Sequence, residues 1–169
     1  MPPGTSPRRL ALDALLQPDP ALKAQQARNL FDAVGTLAPG AWQGEAIALA
    51  PEELAAMPGR PARPNLVSAT QVPSRSPFTL EGRAALLHAI CHIEFNAINL
   101  ALDAVWRYAD MPMQFYLDWL RVASEEALHF GLLRAHLKTF DHDYGDFDAH
   151  DGLWLMAERT SGDIVARMA

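Results

Sequence analysis

The chain has 169 residues, half of them hydrophobic and a fifth charged, and its 20 acidic and 14 basic residues give a net charge of −6. This composition is typical of one soluble globular domain, and the acidic balance argues against a broad nucleic-acid-binding surface. No uninterrupted apolar run approaches the length of a membrane span, so no membrane segment is predicted. We expect a cytoplasmic protein, because Asp13 interrupts the short apolar run after Arg8-Arg9, which therefore does not read as an export signal. The single cysteine, Cys91, cannot form an internal disulfide, which agrees with this expectation.

The N-terminal region, residues 1–78, combines short helices with a proline-rich connection. A short amphipathic helix is expected near residue 10. Asp19-Pro20 is a typical start for a second helix, from about Pro20 to Val34 and closed by Gly35. Seven of the thirteen prolines then fall between residues 36 and 80. This pattern predicts an extended segment that wraps the rest of the fold, with one or two helical turns at 51–57.

Residues 79–169 are predicted to form a helical region built on two long antiparallel helices. Thr79 is a suitable N-cap for the first helix, Leu80 to Ala109, and a turn signal follows at Asp110-Met111-Pro112. The second helix is predicted from Pro112 to Phe140. Between Thr79 and Phe140, glycine or proline occurs only at Gly82, Pro112 and Gly131. The two helices should therefore form a continuous hairpin.

A third helix is expected to begin at Asp151 as N-cap and to run through Trp154, Met156, Val165 and Met168. The preceding loop, 141–152, is rich in aspartate. It does not match an EF-hand, which needs an oxygen ligand at its fifth position and a glutamate at its twelfth, where this loop has glycines. Glu158, on the third helix, is interpreted as an exposed helical glutamate.

Three side chains of the hairpin form the candidate site: Glu94 on the first helix, and Glu126 and His129 on the second. Glu94 and Glu126 each lie in an apolar stripe, and His129 follows Glu126 by one turn on the same face. Counted from the turn, Glu94 and Glu126 differ in height by about one residue rise, roughly 1.5 Å. Two carboxylates and an imidazole at one level suit a divalent metal, which offsets their negative charge.

The first long helix, which carries Glu94, also has a row of polar residues at helical spacing: His88, His92, Asn96, Asn99 and Asp103. His88 and His92 are four residues apart, with Cys91 nearby, which is compatible with zinc. No further ligand at a suitable spacing is evident, so the hypothesis that hydrogen-bonded histidines contact the wrapped N-terminal segment is favoured. A role for His92 in orienting a metal ligand stays open.

Several separate motifs carry a family resemblance. They are Pro61-Ala62-Arg63-Pro64, the run 86–94 ending at Glu94, the run 101–106, Glu125-Glu126 with His129, Tyr144-Gly145-Asp146, and His150-Asp151-Gly152-Leu153-Trp154. With these, the chain resembles the domain of unknown function 455 family of bacterial ferritin-like proteins, itself similar to a group of di-iron tRNA hydroxylases. The resemblance implies an all-α, ferritin-like helical bundle whose first long helix supplies a glutamate and whose second supplies Glu-x-x-His.

In this resemblance, later helices of the relatives supply a second glutamate and a second Glu-x-x-His. The present chain ends at Ala169, and its last stretch, 163–169, still reads as helical with no stop signal. We therefore expect an incomplete bundle, apparently truncated at its C-terminus. It would hold half of the metal site.

Two hypotheses of function follow. The first is a ferritin-like di-metal carboxylate protein that uses iron or manganese and acts, by resemblance, as an oxidase or oxygenase, a di-iron oxidoreductase. Two copies would complete the site as a homodimer, because a helix hairpin cannot bury its apolar face alone. The second is a metal-free helical interaction or scaffold module. Neither hypothesis includes a membrane or nucleic-acid partner, and the small-molecule substrate stays open.

Overall fold

The computed structural model describes residues 6–34 and 47–168, and within these ranges the chain folds as helices and loops without a strand. One isolated bridge joins Leu66 to Ala149. The all-helical prediction is confirmed. The helices are α1 (Pro7–Leu16), α2 (Pro20–Val34), α3 (Pro51–Ala56), α4 (Leu80–Arg107), α5 (Met113–Lys138), α6 (Gly152–Arg159) and α7 (Ile164–Met168).

Side-chain caps fix the starts of α1, α2 and α4. The Thr79 hydroxyl accepts a hydrogen bond of 3.0 Å from the Gly82 backbone, and the Ser6 hydroxyl accepts one from Arg9. Asp19 accepts from two amides in the first turn of α2. These bonds satisfy donors that a helix leaves unpaired at its N-terminus. The predicted caps at Thr79 and Asp19 are thus confirmed, whereas the predicted stop at Gly35 lies outside the described residues.

The helical segments on both sides of the α4–α5 turn are slightly shorter than the sequence predicted. Helix α4 ends at Arg107, and α5 begins at Met113. The Tyr116 hydroxyl explains this end: it donates to the Tyr108 carbonyl at 2.9 Å and accepts from the Met111 amide at 3.1 Å. Asp110 takes a positive φ of 56°, a conformation that aspartate tolerates in turns. The antiparallel hairpin results from this turn.

The N-terminal helices pack on one side of the hairpin. Helix α1 lies on α4, α2 lies on α5, and α1 also contacts α2, while α6 packs on α4. The shared core contains fully or almost fully buried side chains from α1, α4 and α5. Its largest fully buried members include Tyr116, Phe95, Phe130, Leu12, Leu15, Ile98, Leu102 and Leu120. Burying a side chain of this kind contributes about 1.5–3 kcal/mol, so this core is the main reason that α4 and α5 keep a fixed register.

The prediction of one continuous third helix is wrong. The chain forms two short helices, α6 and α7, separated by residues 160–163. Asp163 accepts hydrogen bonds from the Val165 and Ala166 amides, so it starts a new helix. Asp151 occupies the position before α6 but makes no capping bond. Its carboxylate instead pairs with both guanidinium nitrogens of Arg60, which pins the proline-rich segment to the start of α6.

Helix α4 is long and apolar enough to cross a membrane by length and composition, and it is the one described helix that meets this test. The sequence analysis, which looked for uninterrupted apolar runs, did not single it out. Half of its most apolar window is buried inside the fold. Its buried residues include His88, Asn96 and Asp103, which pack against other parts of the chain. These features are those of a core helix.

Candidate metal centre

The structure brings Glu94, Glu126 and His129 together. Glu94 lies at the middle of α4, and Glu126 lies at the middle of α5 with His129 one turn further along. One ligand atom from each residue can be chosen such that all three lie within 4.8 Å of one another. Uniform helical rise on both sides of a short turn accounts for this meeting, as the sequence predicted. We call these three residues the carboxylate–histidine trio.

The imidazole lies between the two carboxylates. His129 Nδ1 is 3.1 Å from Glu126 Oε2 and 3.6 Å from Glu94 Oε2. The shorter contact is a hydrogen bond within α5, whereas the longer one joins α5 to α4. A single face of the hairpin therefore presents two carboxylates and one imidazole to the same point.

The trio is open to solvent on one side. The side chains of Glu94 and Glu126 are 20% and 24% exposed, and that of His129 is 52% exposed. Burial, together with the neighbouring carboxylate of Glu126, raises the pKa of Glu94 to about 7. The hydrogen bond that the Glu126 carboxylate accepts from His129 is the main reason that the pKa of His129 is raised above its usual range. Below about pH 7, Glu94 therefore carries a proton that a bound cation would displace.

The donor set and its spacing fit a hard or borderline divalent metal. Metal–ligand bonds of about 2.1 Å place neighbouring ligands of an octahedral ion about 3 Å apart. The two distances of 3.1 Å and 3.6 Å from His129 Nδ1 are close to that value. Carboxylate and imidazole ligands suit iron and manganese equally, and three ligands leave open positions on an octahedral ion. The trio can therefore hold one such ion.

Residues next to the trio do not join it. Glu125 is exposed, and Glu158 accepts a hydrogen bond from the Trp154 indole at 2.9 Å. Cys91 is fully buried, its thiol lies 3.8 Å from the Phe130 carbonyl, and burial raises its pKa to about 12. None of these groups is placed to act as a further ligand of the trio.

The second polar row of α4 serves two different contacts. His88 accepts a hydrogen bond of 2.9 Å from the Gly145 amide, and His92 bonds to the Tyr144 hydroxyl and to the His150 carbonyl. The hydrogen bonds of these two histidines thus go to loop 141–150, while His92 also lies beside Arg60 and Pro61 of the wrapped N-terminal segment, as expected. His92 does not contact the trio, so the role in orienting a metal ligand that the sequence had left open for it is not supported. Burial lowers the pKa of both imidazoles, that of His88 to about 4.

Lys23 on α2 is a fully buried lysine that was not among the residues predicted from sequence. Its ammonium nitrogen donates to the Gly59 carbonyl at 2.6 Å and to Asn99 Oδ1 at 2.5 Å, and it lies 4.9 Å from the centre of the Phe95 ring. Burial lowers its pKa well below the usual range. Asn99 does contact the N-terminal region as expected. No local sequence signal marked Lys23, because its partners are distant in the chain.

Comparison with known proteins gives a family without an assigned activity. The sequence model of one family, described as "Protein of unknown function (DUF455)", matches residues 16–169. The chain belongs to this family. A relative from Haemophilus influenzae, named only as an uncharacterized protein, is 55% identical over 116 residues. The matched region covers 64% of this chain and 40% of that relative. No solved structure gives a significant match.

Proposed function

We propose that this DUF455 chain is a ferritin-like metal carboxylate protein in which the trio of Glu94, Glu126 and His129 holds one iron or manganese ion. The observation that carries the proposal is the convergence of two carboxylates and one imidazole from two helices, with ligand atoms within 4.8 Å. The family resemblance supplies the ferritin-like link and the expectation of a two-metal site. On that basis, the trio is half of the site.

Each residue of the trio would have its own role in binding the metal ion. Glu94 and Glu126 supply negative charge, and His129 supplies a neutral nitrogen. Residues from both helices are needed, so the closely packed hairpin keeps the donors in place before the ion arrives. An iron ion held by such ligands supplies oxygen chemistry, which agrees with the oxidase or oxygenase activity that the resemblance implies. The raised pKa of Glu94 means that its proton leaves on metal binding.

Elemental analysis by mass spectrometry tests this function. Wild type loaded with Fe(II) without oxygen, or with Mn(II), should keep about one ion per chain after desalting, as expected for half of a two-metal site. The Glu126→Ala variant should lose the metal. Glu125→Ala is the matched control, because it removes the neighbouring carboxylate that lies outside the trio. Equal metal content in the two variants would contradict the proposal.

The second candidate function, a metal-free interaction module, is favoured by the exposed apolar side chains Leu86, Ile93 and Leu132. Thermal unfolding distinguishes the two. Metal at a hundredfold excess over Kd should stabilise a metal protein by about 2.7 kcal/mol. For a chain of this length, that corresponds to a rise in Tm of roughly 5–10 °C. An interaction module would show no such rise, and Glu126→Ala would leave its Tm in metal unchanged.

A further inference from the structure

The three tyrosines of the chain differ in the group that accepts the hydrogen bond of their hydroxyl. Tyr108 donates to the Thr160 carbonyl at 3.1 Å, and Tyr116 donates to the Tyr108 carbonyl at 2.9 Å. The hydroxyl of Tyr144 instead lies 2.9 Å from Nδ1 of His92. A neutral imidazole nitrogen can take up a proton, whereas a backbone carbonyl serves only as a hydrogen-bond acceptor. Within the described part of the chain, Tyr144 is therefore the tyrosine whose hydroxyl faces a base.

The contacts of His92 fix the direction of this hydrogen bond. Nε2 of His92 lies 3.1 Å from the His150 carbonyl oxygen, which can only accept. Nε2 therefore carries the proton of the neutral ring, and Nδ1 is left to accept from the Tyr144 hydroxyl. The opposite tautomer would turn a lone pair of Nε2 towards the carbonyl oxygen. The Asn96 amide nitrogen is 3.0 Å from Nε2, but it donates to the backbone carbonyl of His92, also at 3.0 Å. The Tyr144 proton thus points at a nitrogen that can bind it.

The ring of Tyr144 is packed among other rings. Its centroid is 5.4 Å from that of Phe95 and 5.2 Å from that of Phe130. It also stacks on the imidazoles of His88 and His92. Burial raises the pKa of Tyr144, so the hydroxyl keeps its proton at neutral pH. This packing limits the access of water and other reagents to the ring, which prevents side reactions of an oxidised form.

The two phenylalanines that contact Tyr144 are chain neighbours of the trio. Phe95 follows Glu94 on α4, and Phe130 follows His129 on α5. Neighbouring residues have Cα atoms about 3.8 Å apart. The Tyr144 ring therefore packs on both helices at the level of the candidate metal centre.

We propose that Tyr144 and His92 form a redox-active pair, in which the phenol gives up one electron to a strong one-electron metal oxidant. The O–H bond of Tyr144 breaks as an N–H bond forms at Nδ1 of His92, and the oxidant is reduced by one electron. The products are a neutral tyrosyl radical and an imidazolium ion that still donates from Nε2 to the His150 carbonyl. Resting on the proposed function, iron that has reacted with dioxygen at the trio supplies the oxidant. The redox property itself belongs to the pair.

Flash photolysis of a ruthenium tris-bipyridine complex with an electron acceptor generates such an oxidant beside the metal-free full chain. Wild type should show the optical and electron paramagnetic resonance signals of a neutral tyrosyl radical, and ring-deuterated tyrosine should narrow the latter, which excludes a tryptophan radical. Tyr144→Phe should lose these signals. Tyr108→Phe, the matched control, should keep them, because it removes a hydroxyl that donates to a carbonyl. His92→Gln offers an acceptor but no base, so oxidation of Tyr144 should slow by about 10²–10⁴-fold, the usual contribution of a positioned base.

A radical that Tyr144→Phe preserves, or one that forms equally fast in folded His92→Gln, would overturn the inference, since a structural role for His92 would change stability and not this rate. Should a variant fail to fold, wild type in D₂O replaces it: proton transfer within the pair should slow radical formation there, and an equal rate in H₂O and D₂O would overturn the pair.

Dioxygen added to the Fe(II)-loaded wild type should give the same radical signal in the dark. A chain that binds iron and shows only the photochemical radical would overturn the trio as the source of the oxidant. A chain that binds no iron but shows the photochemical radical would overturn the proposed function alone and support the redox-active pair.

Discussion

Replacing Glu94 by glutamine should make the metal-free protein more stable. In the fold, burial and the nearby Glu126 raise the pKa of Glu94 from 4.5 to about 7. A carboxyl whose pKa is raised by folding lowers stability when it ionises, so its cost is absent below about pH 4.5 and complete above about pH 7. Glutamine has nearly the same shape and cannot ionise. The variant should therefore gain stability at pH 8 and change little at pH 5.

The magnitude follows from the displacement of the pKa. At about 1.4 kcal/mol for each pKa unit, the shift corresponds to at most roughly 3.5 kcal/mol. The Glu94 side chain is 20% exposed, and screening by water reduces the effect to on the order of 1–2 kcal/mol. In the variant, His129 still contacts Glu126, which is the main cause of its raised pKa. The contribution of His129 to stability therefore changes less. The expected gain in free energy of unfolding at pH 8 is thus about 1–2 kcal/mol.

Urea unfolding in EDTA at pH 8 and at pH 5 is the appropriate assay, with Glu125→Gln as control. Glu94→Gln should raise the midpoint at pH 8, and Glu125→Gln should leave it within error. In excess Mn(II) the order should reverse, because the variant loses stabilisation by bound metal. A loss of stability at pH 8 in EDTA, or the same change at both pH values, would refute the reasoning about the trio.

Three further predictions concern the fold around the site. Gly59→Ala should strongly destabilise the protein, because the added Cβ would lie 2.1 Å from a backbone carbonyl oxygen of α1, whereas Gly131→Ala, with open space at the Cβ, should gain about 0.5–1 kcal/mol in urea unfolding. Arg134 holds the pKa of Asp143 down to about 2 from 3.8, so its contribution is present above about pH 4 and lost as the pH falls towards 2. Acid unfolding of Asp143→Asn should lack this part of the pH dependence, and an unchanged curve would count against the ion pair. The buried Lys23 has a lowered pKa, so stability should fall as the pH decreases from about 10.5 through the folded pKa. Lys23→Met should remove that slope in unfolding curves measured from pH 8 to 11.

The sequence was sufficient for the features that depend on helical geometry. The cap at Thr79, helix α2 and the common height of Glu94 and Glu126 follow from local patterns, because every residue in a helix adds the same rise. Helix ends were less predictable. The last turn predicted for α4 is absent, since the Tyr116 hydroxyl binds the Tyr108 carbonyl and that bond forms only when the hairpin closes.

The break between α6 and α7 did have a sequence signal. Aspartate is a favoured N-cap residue, and Asp163 makes capping bonds to the first turn of α7. The role of Asp151 had no local signal, because Arg60, its partner, is 91 residues away in the chain. A capping residue that finds a charged partner of this kind makes the stronger, charge-assisted bond instead.

By itself, the sequence determined that this protein is helical and that two carboxylates and a histidine reach one level of a hairpin. Tertiary structure decided which side of that hairpin is covered. Polar side chains occur on more than one side of α4. Loop 141–150 and Lys23 hydrogen-bond the row that contains His88, His92 and Asn99, whereas Glu94 stays partly open to solvent beside Glu126 and His129. The physical reason is that buried polar groups need partners, and those partners come from segments far away in the chain.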